Sequence, residues 1–105
     1  MSAVSISAIE QVAASMSLRS LEHRGIAANI ANRDTQDYHR LRLQFDAAMS
    51  GVGEAKLVAE SEPSVVPIEQ DMVALSENSL QYQALARVLS RYFAIVGAIT
   101  AANRG

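Results

Sequence analysis

The sequence predicts a mainly α-helical protein: long N- and C-terminal helices packed as an antiparallel hairpin or coiled coil, with a short extended middle region. Three observations carry this. Apolar residues recur at alternating spacings of four and three through residues 68–103, the period of a helix seam. Small apolar residues recur at helical spacing through residues 7–32. The two prolines, Pro63 and Pro67, and the glycines Gly51 and Gly53 fall between these stretches and break regular structure there. At 105 residues the chain, 1–105, reads as a single domain.

The N-terminal helix is expected over residues 7–32. Ser7 and Glu10 match a capping box, in which a hydroxyl and a carboxylate satisfy orphan backbone donors. One stripe runs through Ile9, Ala13, Met16, Ser20, His23, Ala27 and Ile30. A second runs through Ala14, Leu18, Leu21, Gly25 and Ala28. Both are rich in small residues, which lets a partner helix approach closely. Gly25 costs about 1 kcal/mol relative to Ala inside a helix, so it points to tight packing or a bend. Asn32-Arg33-Asp34-Thr35 ends the helix, because these side chains compete for backbone hydrogen bonds.

Residues 33–67 form the turn and middle segment. Leu41, Leu43 and Phe45 alternate with Arg40, Arg42 and Gln44, the period of an extended strand. A short helical turn is expected over Asp46–Met49, and a second extended piece over Leu57–Glu60. The C-terminal helix is expected over residues 68–103. Pro67 suits a helix start, and Glu69 and Asp71 complement the positive end of the helix dipole. One seam runs through Ile68, Met72, Leu75, Ser79, Tyr82, Ala86, Leu89, Phe93, Val96 and Thr100. From Leu85 a second joins it through Val88, Tyr92, Ile95 and Ile99. A two-helix hairpin cannot cover both, and the middle segment is short and polar. The surplus apolar surface therefore marks an interaction site, with Leu75, Tyr82, Val88, Leu89, Tyr92, Phe93, Ile95, Val96 and Ile99 as the expected assembly contacts. The competing reading is an ordinary helical core in which the middle segment covers the second face.

Composition narrows the function. Nine basic residues face eleven acidic ones, for a net charge of −2, without the basic excess of a nucleic-acid binder. The chain has no cysteine, which removes disulfides, thiol catalysis and cysteine metal sites. No uninterrupted apolar run reaches membrane-spanning length, and the N-terminus lacks the pattern of a cleavable secretory signal. His23 and His39 have no partners at metal-ligand spacing. Gly51-Val52-Gly53 is too short for a phosphate loop. Arg40 and Arg42, on the polar side of the extended segment, either touch an acidic partner or form a solvated face, and the solvated face is the reading preferred here. Neither a catalytic group, a metal nor a cofactor is expected.

One constellation is far more specific. Ala28-Asn29-Ile30-Ala31-Asn32-Arg33-Asp34-Thr35, followed by Tyr38, resembles the signature of the flagellar axial proteins, which include the rod, hook and hook-associated proteins. Leu43-Gln44-Phe45 is similar to the valine-x-phenylalanine step of proximal rod members. Asp71-Met72, Asn78 and Tyr82-Gln83 resemble the pattern ahead of the family's C-terminal helix. Asn29, Ile30, Ala31, Asn32, Thr35, Tyr38, Phe45, Asp71, Met72, Asn78 and Tyr82 carry the likeness. Gln36-Asp37 stand where the family usually has Pro-Gly, and His39 where a lysine is common. In the residues themselves, Asn29 and Asn32 are placed to bond backbone groups that the helix end leaves unpaired, and Asn32 suits a left-handed C-cap.

The resemblance implies a structural subunit of the flagellar basal-body rod, exported by the type III apparatus from the cytoplasm to the periplasmic rod. Implied partners are further copies, other rod proteins, the inner-membrane ring with its adaptor, and the export gate. Two alternatives stay open: an inner-rod or adaptor component of a non-flagellar type III system, and a small helical protein that binds a partner helix.

Overall fold

The structure, a computed structural model, describes residues 2–45 and 55–104, with side chains from Ser7 onward. Its elements are α1 (Ser2–Ala31), β1 (Leu41–Phe45), β2 (Ala55–Ala59) and α2 (Ile68–Arg104). This is the expected helical hairpin with an extended middle. The helices run antiparallel, since the C-terminal part of α1 lies beside the N-terminal part of α2: Asn78 meets Glu22 and Arg33 meets Val66.

Helix α1 starts earlier than the capping pattern implied. Ser7 lies inside the helix, so the Ser7–Glu10 box does not cap it. Ser2–Ile6 has no breaker, and extending a helix through such residues is easier than nucleating a new end. At its other end the turn over residues 32–38 is hydrogen-bonded, with Thr35 N–H donating to Asn32 C=O at 2.9 Å. Helix α2 starts directly after Pro67, whose carbonyl accepts the Gln70 N–H at 3.0 Å. Glu69 and Asp71 occupy its first turn.

The strands form an antiparallel pair in the register Leu41↔Ala59, Leu43↔Leu57 and Phe45↔Ala55. The alternation holds in β1, where Leu41 and Leu43 are half-buried and Arg42 and Gln44 exposed. Phe45 breaks it and is 61% exposed. The expected turn over Asp46–Met49 lies outside the described residues.

The β-hairpin packs on α1 rather than on α2. At Gly25, which is buried, an added Cβ would sit 2.7 Å from Leu57 Cδ2. The stripe of small residues read as a helix–helix contact thus receives a strand there, which explains the glycine. The other predicted stripe is mixed: Ile9, Met16, Ala27 and Ile30 are half-buried, and Ala13, Ser20 and His23 exposed.

The face of α2 turned inward also differs from the predicted seam. Ile68, Leu75, Ser79, Ala86 and Leu89 of the predicted seam are half-buried, as are Leu85 and Tyr92 of the second, while Met72, Tyr82, Phe93 and Val96 are exposed and Asp71 and Asn78, in neither seam, are buried. The inward face therefore keeps part of the predicted seam and extends to one side of it, through Asp71 and Asn78. A search by apolar character alone passes over these two polar residues.

Among the described residues no hydrophobic side chain is fully buried. The accessible surface is 7440 Å², whereas a compact monomer of this mass exposes about 5,700 Å². The radius of gyration is 18.2 Å against about 13 Å for a globular chain of this length. Helix α2 also holds an 18-residue window that is, by length and composition, apolar enough to cross a membrane, with none of it buried. The expectation of no span rested on uninterrupted apolar runs, which Arg87 and Arg91 break.

Candidate functional site

Two features stand out: a polar clamp at the closed end of the hairpin, and an apolar flank along α2. The clamp begins with Asn29, in the last turn of α1 and 4% exposed. Its Oδ1 accepts from the Leu41 N–H at 2.8 Å and from the Tyr38 hydroxyl at 3.0 Å. Its Nδ2 donates to the Leu41 carbonyl at 3.0 Å. The amide therefore bonds both backbone groups of Leu41, as a neighbouring strand would. Asn29 does not cap its own helix as expected; it ties the helix to β1.

Asn32 does bond its own helix. Its Nδ2 donates to the Ala28 carbonyl at 2.9 Å, and its Oδ1 accepts from the Thr35 hydroxyl at 3.1 Å. It is not the left-handed residue. That conformation falls on Asp37, at φ 59°, one of the two positions where the flagellar family usually has Pro-Gly. Aspartate is among the few residues that adopt it at modest cost.

Arg40 corrects the solvated-face reading. It donates two hydrogen bonds to Asp71, at 2.9 Å and 2.7 Å, and the two side chains are 14% and 6% exposed. The hydrogen bond to Asp71 holds the guanidinium pKa above its ordinary value, against the opposing pull of burial. Asp71 therefore does more than complement the helix dipole. It is the anchor that locks the end of the turn onto α2. Arg42 is exposed, as expected.

Further along, Asn78 is 2% exposed and its Nδ2 donates to the Arg19 carbonyl at 2.9 Å and to Glu22 Oε1 at 2.8 Å. Arg19 reaches the same Glu22 oxygen at 3.0 Å. His39 Nδ1 lies 2.7 Å from the Glu60 carbonyl. That oxygen only accepts, so Nδ1 carries the proton.

The structure thus brings Asn29, Tyr38 and Leu41 together, and Arg40 with Asp71 beside them. Ile30 is half-buried and Ala31 exposed at the end of α1. Phe45, Met72 and Tyr82 join no buried cluster. Leu75, Leu89 and Tyr92 are half-buried toward α1, while Val88, Phe93, Ile95, Val96 and Ile99 are exposed. Arg19 and Glu22 are clamp members that the sequence reading did not single out, and Arg40 is one that it placed on a solvated face. Their signal was the heptad spacing of polar Asp71 and Asn78, which calls for polar partners opposite.

No family model, no curated protein and no solved structure matches this chain.

The clamp has the chemistry of a fastening rather than of a reaction centre. Its polar groups are engaged with one another. Among the described residues no group of three metal-ligating side chains comes together.

Proposed function

We propose that this chain is a structural subunit that completes its core only by packing against other chains, and that its assembly is the flagellar basal-body rod. One observation carries the first part: large apolar side chains on α2 stand exposed while no hydrophobic side chain among the described residues is buried. The surface in excess of a compact monomer is about 1,700 Å², roughly twice what one partner contributes to a standard interface. The exposed residues lie along one long helix, the geometry that side-by-side helix packing uses.

The flagellar assignment rests on the motif resemblance, which is to flagellar basal-body rod protein B, the smallest proximal-rod type. The clamp supports it in one respect: Asn29, Tyr38, Asp71 and Asn78, residues that carry the likeness, are the ones that fasten the hairpin. In this reading the chain is exported without a cleaved signal. It joins other rod proteins between the inner-membrane ring and the hook, and transmits load through interdigitated side chains.

Purified basal bodies test the assignment. The chain is expected in them, and its recovery only from cytosol, or with injectisome needles, contradicts the rod reading. Val96→Asp places a charge on the exposed flank without touching the clamp. It is expected to leave export intact and block rod completion; normal rods in that variant refute the role of this flank.

A further inference from the structure

We infer that the exposed stripe of α2 formed by Val88, Ile95 and Ile99, with Arg87 and Arg91 beside it, docks on an anionic phospholipid surface while the chain is unassembled. This goes beyond the assembly reading and does not rest on it.

The geometry is that of a helix lying in a membrane interface. At 100° per residue, Val88, Ile95 and Ile99 fall within about 40° of one another around the helix. Arg91 and then Arg87 occupy about the next 80° on one side of that stripe. Leu85, Leu89 and Tyr92, half-buried toward α1, lie on the other. The apolar stripe is therefore bordered by α1 on one flank and by two arginines on the other. A helix lowered onto a bilayer in this orientation sinks Val88, Ile95 and Ile99 into the acyl boundary and leaves the guanidinium groups among the headgroups.

The charge selects the occupant. From Asn78 to the last residue the sequence has three arginines, Arg87, Arg91 and Arg104, and no acidic residue. Among the described residues neither Arg87 nor Arg91 is in an ion pair. A second copy laid along this stripe would bring like charges together, whereas an anionic lipid surface neutralises them; association with other chains is left to Val96 and Phe93, about 60–120° further round the helix. The apolar window in α2 meets the length and composition of a span. Arg87 and Arg91 within it favour lying in the interface over crossing, because a charge at bilayer depth is costly.

Flotation of the full-length chain with vesicles of phosphatidylcholine, with or without phosphatidylglycerol, tests this. Binding is expected only to the vesicles containing phosphatidylglycerol, and is expected to weaken with added salt. Arg87→Gln and Arg91→Gln are each expected to weaken it about fivefold, and Ile95→Asp to abolish it, with helicity by circular dichroism unchanged. Arg42→Gln, on the exposed face of β1, is expected to bind as the parent does. Equal binding to both vesicle types overturns the proposal, as does equal loss in Arg42→Gln. So does self-association that leaves the chain unbound to phosphatidylglycerol vesicles, which would assign the stripe to a second copy.

Discussion

Asn29 does the work of three separate contacts with one side-chain amide. Because it is almost fully buried, its loss strands the Leu41 N–H and C=O and the Tyr38 hydroxyl without their partner. Asn29→Ala is therefore expected to cost about 2–3 kcal/mol, the penalty for unsatisfied buried polar groups rather than for one average hydrogen bond. Urea titration followed by circular dichroism measures it. The Arg40–Asp71 pair behaves differently. Asp71→Ala leaves a half-buried guanidinium without its partner and is expected to cost about 1–3 kcal/mol. Replacing both residues, Arg40→Met with Asp71→Leu, is expected to recover most of that loss, because the desolvation penalty disappears along with the attraction. If the double variant is as unstable as Asp71→Ala, the pair contributes something other than compensated charge. The raised Arg40 pKa also has a sign. A cation favoured in the folded state stabilises fully below its unfolded pKa and loses that contribution as pH climbs through the folded one. Its contribution is therefore constant across neutral pH and is lost only in strong alkali.

At the scale of elements, Gly25 decides how closely the β-hairpin approaches α1. The atom an added Cβ would meet is the end of the flexible Leu57 side chain, so a small substitution is absorbed by rotation. Gly25→Ala is expected to stay within about 1 kcal/mol of the parent, since the gain in helix propensity offsets the shift. Gly25→Leu is expected to push the hairpin away and cost about 1–3 kcal/mol. Thermal melts of the two variants, compared with the parent, check both. The elements themselves were legible in the sequence because they obey simple periods: four and three for α2, two for β1, and breakers between. The polar part of the inward face of α2 was not. Asp71 and Asn78 sit seven apart on the inward face, and polar residues are buried there only because Arg40, Arg19 and Glu22 come from elsewhere in the chain to meet them. Such partners, distant in sequence, leave no local trace. The start of α1 was misplaced for a related reason: Ser7 and Glu10 have the right spacing for a cap, but nothing before them stops the helix. The motif at the end of α1 was legible as a terminator, while the turn of Asn29 toward β1 depends on a strand twelve residues on.

The whole molecule is long and thin, 64 × 31 × 14 Å, and a layer that thin has no room for an interior shielded on all sides. Two helices and a two-stranded sheet give each apolar side chain one neighbouring surface, and a pair of strands is marginal by itself. What holds the hairpin closed is polar and concentrated toward one end. The opposite end of α2 keeps Phe93, Ile95, Val96 and Ile99 in solvent. The apolar part of the excess surface drives association, and the cost of ordering two chains is set against it. Stability of the isolated chain is therefore expected to depend on protein concentration.

Sedimentation equilibrium of the purified chain, with circular dichroism at each concentration, tests this most directly. Reversible association is expected, its extent rising with concentration, together with a gain in helicity or melting temperature, and both are expected to be lost in Val96→Asp. A monodisperse monomer that is fully helical at the lowest concentration and melts cooperatively at an unchanging temperature would contradict it.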